Sequence, residues 1–328
     1  VGRRSTAEPV LVSIALCTYN GSRFLAQQMD SLLSQTHPLL EIVVADDASS
    51  DDTVAILEKY ARLDPRVSVS VNPANLGFAR NFECALARCR GTFIAPCDQD
   101  DVWLPDKISM LVAAIGEHPL AYCDSTHIDE HGNPTGPRMS DIVPMLSTDH
   151  PAMFAFGNCV SGHAMLFRRE LIARALPVPA EFFYDWWIAA VAASAGGIVF
   201  RNHSRVLYRQ HGSNITTGRL GEMMQEAGID SPRRATAPSV SAADRKALYL
   251  RETGQRLAAL ARLPGPHQSF IAELHRLWTA REHQRLSLAL GLFMTRHRKL
   301  LLALTQMSDK KQRRYCRQMF FGLRRWFG

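Results

Sequence analysis

Phe93-Ile94-Ala95-Pro96-Cys97-Asp98-Gln99-Asp100-Asp101 is a short apolar run that ends in three carboxylates within four positions. A run of this length bounded by turn residues predicts a buried strand, with the polar cluster at its carboxyl end. Along an extended backbone, residues two apart project to the same face, so Asp98 and Asp100 can aim at one point. Like charges held that close repel unless a cation sits between them, and hard oxygen ligands suit Mg2+ or Mn2+. A solvated acidic turn between a strand and a helix is the plain alternative, and the segment alone does not choose.

Upstream, two apolar runs and a third strand-like segment also lead into polar clusters. Residues 10–16 stop at Cys17-Thr18-Tyr19-Asn20-Gly21. Residues 41–45 stop at Asp46-Asp47-Ala48-Ser49-Ser50-Asp51-Asp52, and residues 67–71 lead into Asn72-Pro73-Ala74-Asn75-Leu76-Gly77. Between them, Leu25, Met29, Leu32 and Leu33, then Val54, Leu57 and Ala61, keep helical spacing, and Ser50 or Asp51 can cap the second helix. A third helix is expected to run through Ala87. Four βα units in about 100 residues predict an α/β fold with a mostly parallel sheet and helices on both faces. Ligands of such sheets bind at the carboxyl ends of strands, where every one of these polar clusters falls.

From Leu120 the rhythm breaks. The Pro- and Gly-rich residues 129–151 predict an ordered loop or lid. A helix is expected near Arg168 and another over 184–195, opened by Tyr184-Asp185-Trp186-Trp187. A strand over 197–208 ends in Arg209-Gln210-His211-Gly212. Residues 219–240, with Gly, Ser and Pro interspersed, predict a flexible joint. The region beyond it, 241–328, is helical in pattern and broken at Leu263-Pro264-Gly265-Pro266.

The 328 residues, 46% hydrophobic, suffice for one large core or two modest ones. No uninterrupted apolar run is long enough for a spanning helix, and the basic start Val1-Gly2-Arg3-Arg4 lacks the apolar stretch of a secretory signal. Seven cysteines without a CxxC pair argue against structural zinc and a disulfide framework and fit a reducing cytosol. Net charge is +7, yet residues 296–328 hold ten Lys or Arg against one acid, Asp309, so the body is near neutral and the tail basic.

No GxGxxG or GxxxxGK[ST] loop is present, which weighs against dinucleotide and P-loop readings. A phosphorylated ligand would then need another charge partner, which a metal on Asp98 and Asp100 supplies. Asp47 could accept hydrogen bonds from a nucleobase or ribose, or simply order a turn. Asp185 among aromatics could take up a proton, or merely begin a helix where negative charge is favoured. Trp186 and Trp187 could face a sugar or fill the core. His211 could bind a metal or close a turn.

Taken together, these pieces resemble the family 2 glycosyltransferases with the GT-A fold. The resemblance spans roughly residues 9–218 and rests on six segments in family order: residues 13–20, 44–51, 75–81, 98–103, 184–187 and 208–212. It implies a GT-A nucleotide-binding domain at 9–218 with a C-terminal helical extension. It also implies that Thr18, Tyr19, Asp47, Asn75 and Asp98 hold a dTDP- or UDP-linked sugar. Asp98 and Asp100 resemble the DXD motif and, with His211, would hold Mg2+ or Mn2+; Asp185 would be the general base. Trp186 and Trp187 would meet the acceptor. The usual Gly after the second-strand Asp pair is Ala48 here. The DQDDVW and DWW…YRQHG wording looks most like bacterial rhamnosyltransferases of surface polysaccharide assembly, implying dTDP-L-rhamnose and a lipid-linked or glycan acceptor.

In the tail, Leu286–Met294 and residues 300–304 flank Arg296–Lys299. Tyr315, Met319, Phe320, Leu323, Trp326 and Phe327 lie among further cations. Apolar groups beside dense positive charge suit a helix on an anionic membrane surface, here the inner face of the cytoplasmic membrane. A helical subdomain packed on the catalytic body is the alternative. A non-catalytic nucleotide-sugar-binding scaffold is the reading of a different class. No motif points to nucleic acid.

Overall fold

The computed structural model describes residues 10–212, 242–281 and 286–321; the joint expected at 219–240 lies outside them. The four strand-like segments are strands β1 (Val12–Thr18), β2 (Leu40–Asp46), β3 (Val67–Val71) and β4 (Phe93–Cys97). Helices α1 (Ser22–Leu33), α2 (Thr53–Leu63) and α3 (Phe78–Arg88) connect them. β1 pairs in parallel with both β2 and β4, and β2 with β3. The order β3-β2-β1-β4 reverses direction at β1, and the crevice at such a switch point is where an α/β sheet takes its ligand.

Side chains of these strands alternate between two cores. Ile14, Leu16, Ile42, Val44 and Ala95 pack with Leu25, Met29 and Leu32 of α1 and Leu57 of α2. Ala15, Cys17, Val43, Ala45 and Ile94 pack with Phe82, Ala85 and Leu86 of α3. Burial on both faces explains why β1, β2 and β4 read as continuous apolar runs. Each fully buried Leu or Ile here contributes about 1.5–3 kcal/mol. Asp51 ties α1 to α2: its carboxylate accepts from the backbone N–H of Ser22 (3.1 Å) and of Thr53 (3.0 Å). Burial would raise its pKa, but these bonds and that of the Thr53 hydroxyl outweigh it and hold the group at about 2.

Past β4 the chain adds β5 (Val102–Trp103), α4 (Lys107–Ile115), β6 (Leu120–Ile128), β7 (Pro134–Arg138) and α5 (Met139–Ile142). Then follow β8 (Met165–Arg168), α6 (Ile172–Ala175), α7 (Tyr184–Ser194) and β9 (Ile198–Arg209). β8 runs antiparallel between β4 and β6, β9 parallel to β6, and β5 antiparallel to β9, so this half of the sheet is mixed. The loop expected over 129–151 instead contains β7 and α5. β7 (Pro134-Thr135-Gly136-Pro137-Arg138) pairs with β6, and its prolines and glycine disguise it because only an edge position tolerates them. The helix expected near Arg168 begins at Ile172, after a 3-10 turn at Arg169–Leu171.

Helices α8 (Ala242–Leu260), α9 (Gln268–Ala280), α10 (Leu288–Leu301) and α11 (Asp309–Gln318) complete the described chain. They share one apolar core with α3 and α7, through residues such as Leu257, Leu274, Trp278 and Met294. Arg256 Nε donates to Ala155 O at 3.1 Å, and its guanidinium lies 5.0 Å over the Trp186 ring. Much of the apolar set that suggested membrane contact is therefore core: Leu290, Met294, Leu301, Leu302, Leu304 and Met319 are buried. Leu286, Leu288 and Leu292 are exposed. Leu323, Trp326 and Phe327 lie outside the described residues. Among the described residues, no helix is long and apolar enough to cross a membrane.

Candidate active site

A cavity of about 940 Å³ opens at the carboxyl ends of β1, β2 and β4, and it gathers most of the residues singled out above. Thr18, at the end of β1, donates to Asp46 Oδ2 at 2.7 Å, and Asp46 also accepts from Ser49 N at 2.8 Å. Asp46 thereby shapes the turn, whereas Asp47 reaches the cavity. The Asp47 carboxylate accepts from the N–H groups of Leu76 and Gly77, both at 2.8 Å, and from Asn72 Nδ2 at 2.9 Å. It pins the loop that brings Asn75 to the cavity wall. Between them Ala48 sits in the left-handed region at φ 59°, the conformation that makes Gly the easier residue there.

Gln99, inside the acidic cluster, bridges two loops. Its Oε1 accepts from Tyr19 N at 2.8 Å and its Nε2 donates to Tyr19 O at 3.0 Å. The Tyr19 ring remains 49% exposed at the cavity rim, free to meet a planar ligand.

The acidic loop lies beside β9 because β5 pairs with it, Val102 opposite Leu207. That pairing sets His211 Nε2 at 2.7 Å from Asp100 Oδ2. Arg209, buried and 4.7 Å over the Phe24 ring, frames the loop. Its Nε donates to Asp100 O at 2.8 Å and its backbone N–H to Asp101 Oδ1 at 3.0 Å. Burial, followed by the neighbouring Asp100 and Asp185 carboxylates, pushes Asp98 up to about 8.

Two residues without an assigned role from sequence join this group. Asp101 is fully buried, and its Oδ2 has no hydrogen-bond partner among the described residues. It lies 3.6 Å from His163 Nδ1. Asp98, Asp101 and His163 each offer one ligand atom within 4.8 Å of the others. Burial, then the nearby Lys107, lowers His163 to about 3, so its imidazole is neutral and keeps a lone pair. Lys107 Nζ donates to His163 O at 2.6 Å. Crowded carboxylates, an orphaned carboxylate oxygen and two imidazoles fit a hard divalent cation such as Mg2+ or Mn2+. Asp98 is common to both sets, with Asp100 and His211 in one and with Asp101 and His163 in the other.

Asp185 stands in the first turn of α7 and lines the same cavity. Its Oδ1 accepts from Trp186 N at 2.6 Å, and its charge is one cause of the raised Asp98. The tryptophans after it differ from expectation. Trp187 is 5% exposed, packs on Phe182 and donates its indole N–H to Ala175 O at 3.0 Å. It does not line the cavity, and an acceptor contact through it is replaced by a core role. Trp186 is also buried and donates to Phe154 O at 2.7 Å, while still bordering the cavity. Trp187→Phe is expected to lose about 1 kcal/mol of stability, the worth of one buried hydrogen bond, with no change in acceptor KM. Chemical denaturation and steady-state kinetics check both parts.

The model of "Glycosyl transferase family 2" matches residues 13–175, which contain β1 to β4 and the acidic cluster. Residues 13–175, just under half of the chain, are thus similar to that family. The curated relative "UDP-Glc:alpha-D-GlcNAc-diphosphoundecaprenol beta-1,3-glucosyltransferase WfaP" of Escherichia coli is 28% identical over 67% of this chain and 85% of its own. Three other curated relatives are matched over only 66%, 32% and 60% of their own length, so this chain spans two thirds of them or less. Among solved structures, S. aureus TarS 1-349 in complex with UDP-GlcNAc superposes with a TM-score of 0.54 at 17% identity, over 93% of this chain and 79% of that one. The mannosyltransferase PcManGT from Pyrobaculum calidifontis, in complex with GDP-Man and Mn2+, gives 0.51 at 18%, over 90% and 88%. At these identities the likeness shows a shared fold of the GT-A type. Asp185 and His211 lie beyond the matched family segment, so their inclusion in the site rests on the cavity itself.

Proposed function

We propose that this chain is an inverting, metal-dependent glycosyltransferase that moves a sugar from a nucleoside diphosphate to a lipid-linked or glycan acceptor. The observation that carries it is the convergence of Asp47, Asp98, Asp100, His211 and Asp185 on one cavity at the switch point of the sheet. Thr18, Tyr19, Asp47 and Asn75 would hold the base and ribose. Asp98, Asp100 and His211 would hold Mg2+ or Mn2+, which when bound offsets negative charge on the diphosphate. Asp185 takes the proton of the acceptor hydroxyl as that oxygen bonds to the anomeric carbon and the bond to the diphosphate oxygen breaks. Attack opposite the leaving group inverts the anomeric centre.

The resemblance of DQDDVW and DWW…YRQHG to bacterial rhamnosyltransferases supports dTDP-L-rhamnose as donor. The name of the E. coli relative favours UDP-glucose as a second reading. Release of dTDP or UDP from dTDP-L-rhamnose, UDP-glucose and UDP-GlcNAc, with and without Mn2+, tests both. Consumption of none of them would count against catalysis and favour a nucleotide-sugar-binding scaffold.

Leu288, Leu292, Arg296 and Lys299 form one exposed row on α10, spaced to share a helix face. This row supports attachment to an anionic membrane surface. Leu292→Glu is expected to reduce co-sedimentation with phosphatidylglycerol vesicles about threefold or more, by opposing both apolar insertion and charge attraction. Unchanged sedimentation would remove the row from that role.

A further inference from the structure

Between Asp98 and Asp100 stands a residue that neither carries charge nor binds a metal readily, yet it is held in place on both sides of its amide. Gln99 reaches from the end of β4 to the loop after β1, 80 positions earlier in the chain. Its Oε1 accepts from Tyr19 N and its Nε2 donates to Tyr19 O. Opposed residues of antiparallel strands exchange one N–H and one C=O in the same way. A carboxamide can imitate that pairing because it offers an acceptor and a donor side by side. The ionised carboxylates that flank it have no donor and could not.

The fit is close. A Cβ at Gly21 would collide with the Gln99 carboxamide, so the amide lies on this loop only because residue 21 has no side chain. The other flank of the loop is tied down separately. Asn20 N donates to Ser49 Oγ at 2.9 Å, Asn20 Oδ1 accepts from Ser50 N at 2.9 Å, and Gly21 N donates to Thr53 Oγ1 at 2.8 Å. These bonds join the loop to the β2–α2 connection without help from Gln99. Loss of Gln99 should therefore leave the loop folded and release the main chain of Tyr19 alone. What Tyr19 carries is a half-exposed ring at the cavity rim, whereas the neighbouring Thr18 is committed to Asp46.

We propose that Gln99 is a positioning residue that sets the Tyr19 ring against the base of the nucleotide, while Asp98 and Asp100 beside it hold the metal. Three consecutive residues then fix both the aromatic platform for the base and the charge partner of the diphosphate. The nucleotide in this assignment rests on the glycosyltransferase reading, but placement of the Tyr19 ring by Gln99 can be measured with no ligand present.

The test uses the full chain and two variants that break the same contact from opposite sides. Gln99→Met keeps the length and loses both bonds; Gly21→Ala adds a methyl that displaces the carboxamide. UDP, dTDP and inorganic pyrophosphate are titrated calorimetrically, each with Mn2+. Both variants should weaken binding of the nucleotide roughly tenfold, the scale of one base-on-aromatic contact, and leave pyrophosphate affinity within about twofold. In a Tyr19→Ala background Gln99→Met should add no further loss, because the ring through which it acts is gone. Fluorine NMR of protein labelled with 3-fluorotyrosine reads the ring directly, with the Tyr19 signal assigned by Tyr19→Phe. That signal should shift in both variants without ligand. Parent-like nucleotide affinity of Gln99→Met, an equal loss for pyrophosphate, or a full further loss in the Tyr19→Ala background would overturn the proposal. A parent that binds neither nucleotide would overturn the transferase reading and the base-binding half of the proposal. An unmoved Tyr19 signal would overturn the half that concerns the ring.

Discussion

Asp185→Asn is expected to lower turnover by roughly a hundredfold or more, the usual scale for a catalytic acid or base. Affinity for UDP should stay within about twofold, since the substitution removes a group that acts only as charge develops on the acceptor oxygen. Asn preserves the shape of the side chain and its oxygen can still accept from Trp186 N, so α7 should begin as before. What disappears is the capacity to take a proton. The second consequence is local: Asp98 loses one of the carboxylates that raise its pKa. Near-normal turnover of this variant would remove Asp185 from the role and leave the cavity without a base on that wall.

Asp100→Ala is the other large effect, a fall in turnover of roughly 10²–10³, comparable to losing one preorganised electrostatic partner. Asp100 contributes its carboxylate to His211 at 2.7 Å and its carbonyl to Arg209 at 2.8 Å, and only the first is lost on substitution. The loop framed by Arg209 should therefore persist. Stability should change little or improve, because one of the like charges crowded against Asp98 is gone. A thermal midpoint lowered by many degrees would instead assign Asp100 a structural role and undercut its place in the metal set.

Strands β1, β2 and β4 were legible because each is buried on both faces and therefore reads as an apolar run ended by polar residues, whereas the edge strand β3 shows the alternation Val-Ser-Val-Ser-Val. Their order implied the switch point, and with it the position of Asp47, Asp98 and Asp100. Other features carried no local signal. The prolines of β7 mimic a loop, and nothing in a segment near His163 announces that it will meet Asp101, 62 positions earlier, across the sheet. The role of Trp187 was open from spacing, although a usable clue was present. Residues 184–194 are apolar almost all round, which marks a helix buried on every side rather than one presenting an aromatic face.

Seating of a divalent cation by Asp98 and Asp100 against a nucleotide's diphosphate is the claim on which the functional account turns. Calorimetric titration of UDP and of dTDP into the parent chain and Asp100→Ala, each with Mn2+ and with EDTA, tests it most directly. The account predicts that at least one nucleotide binds the parent roughly tenfold or more tightly with Mn2+, and that Asp100→Ala abolishes the gain. Binding that is indifferent to Mn2+ in the parent, or an equal gain in the variant, would contradict it.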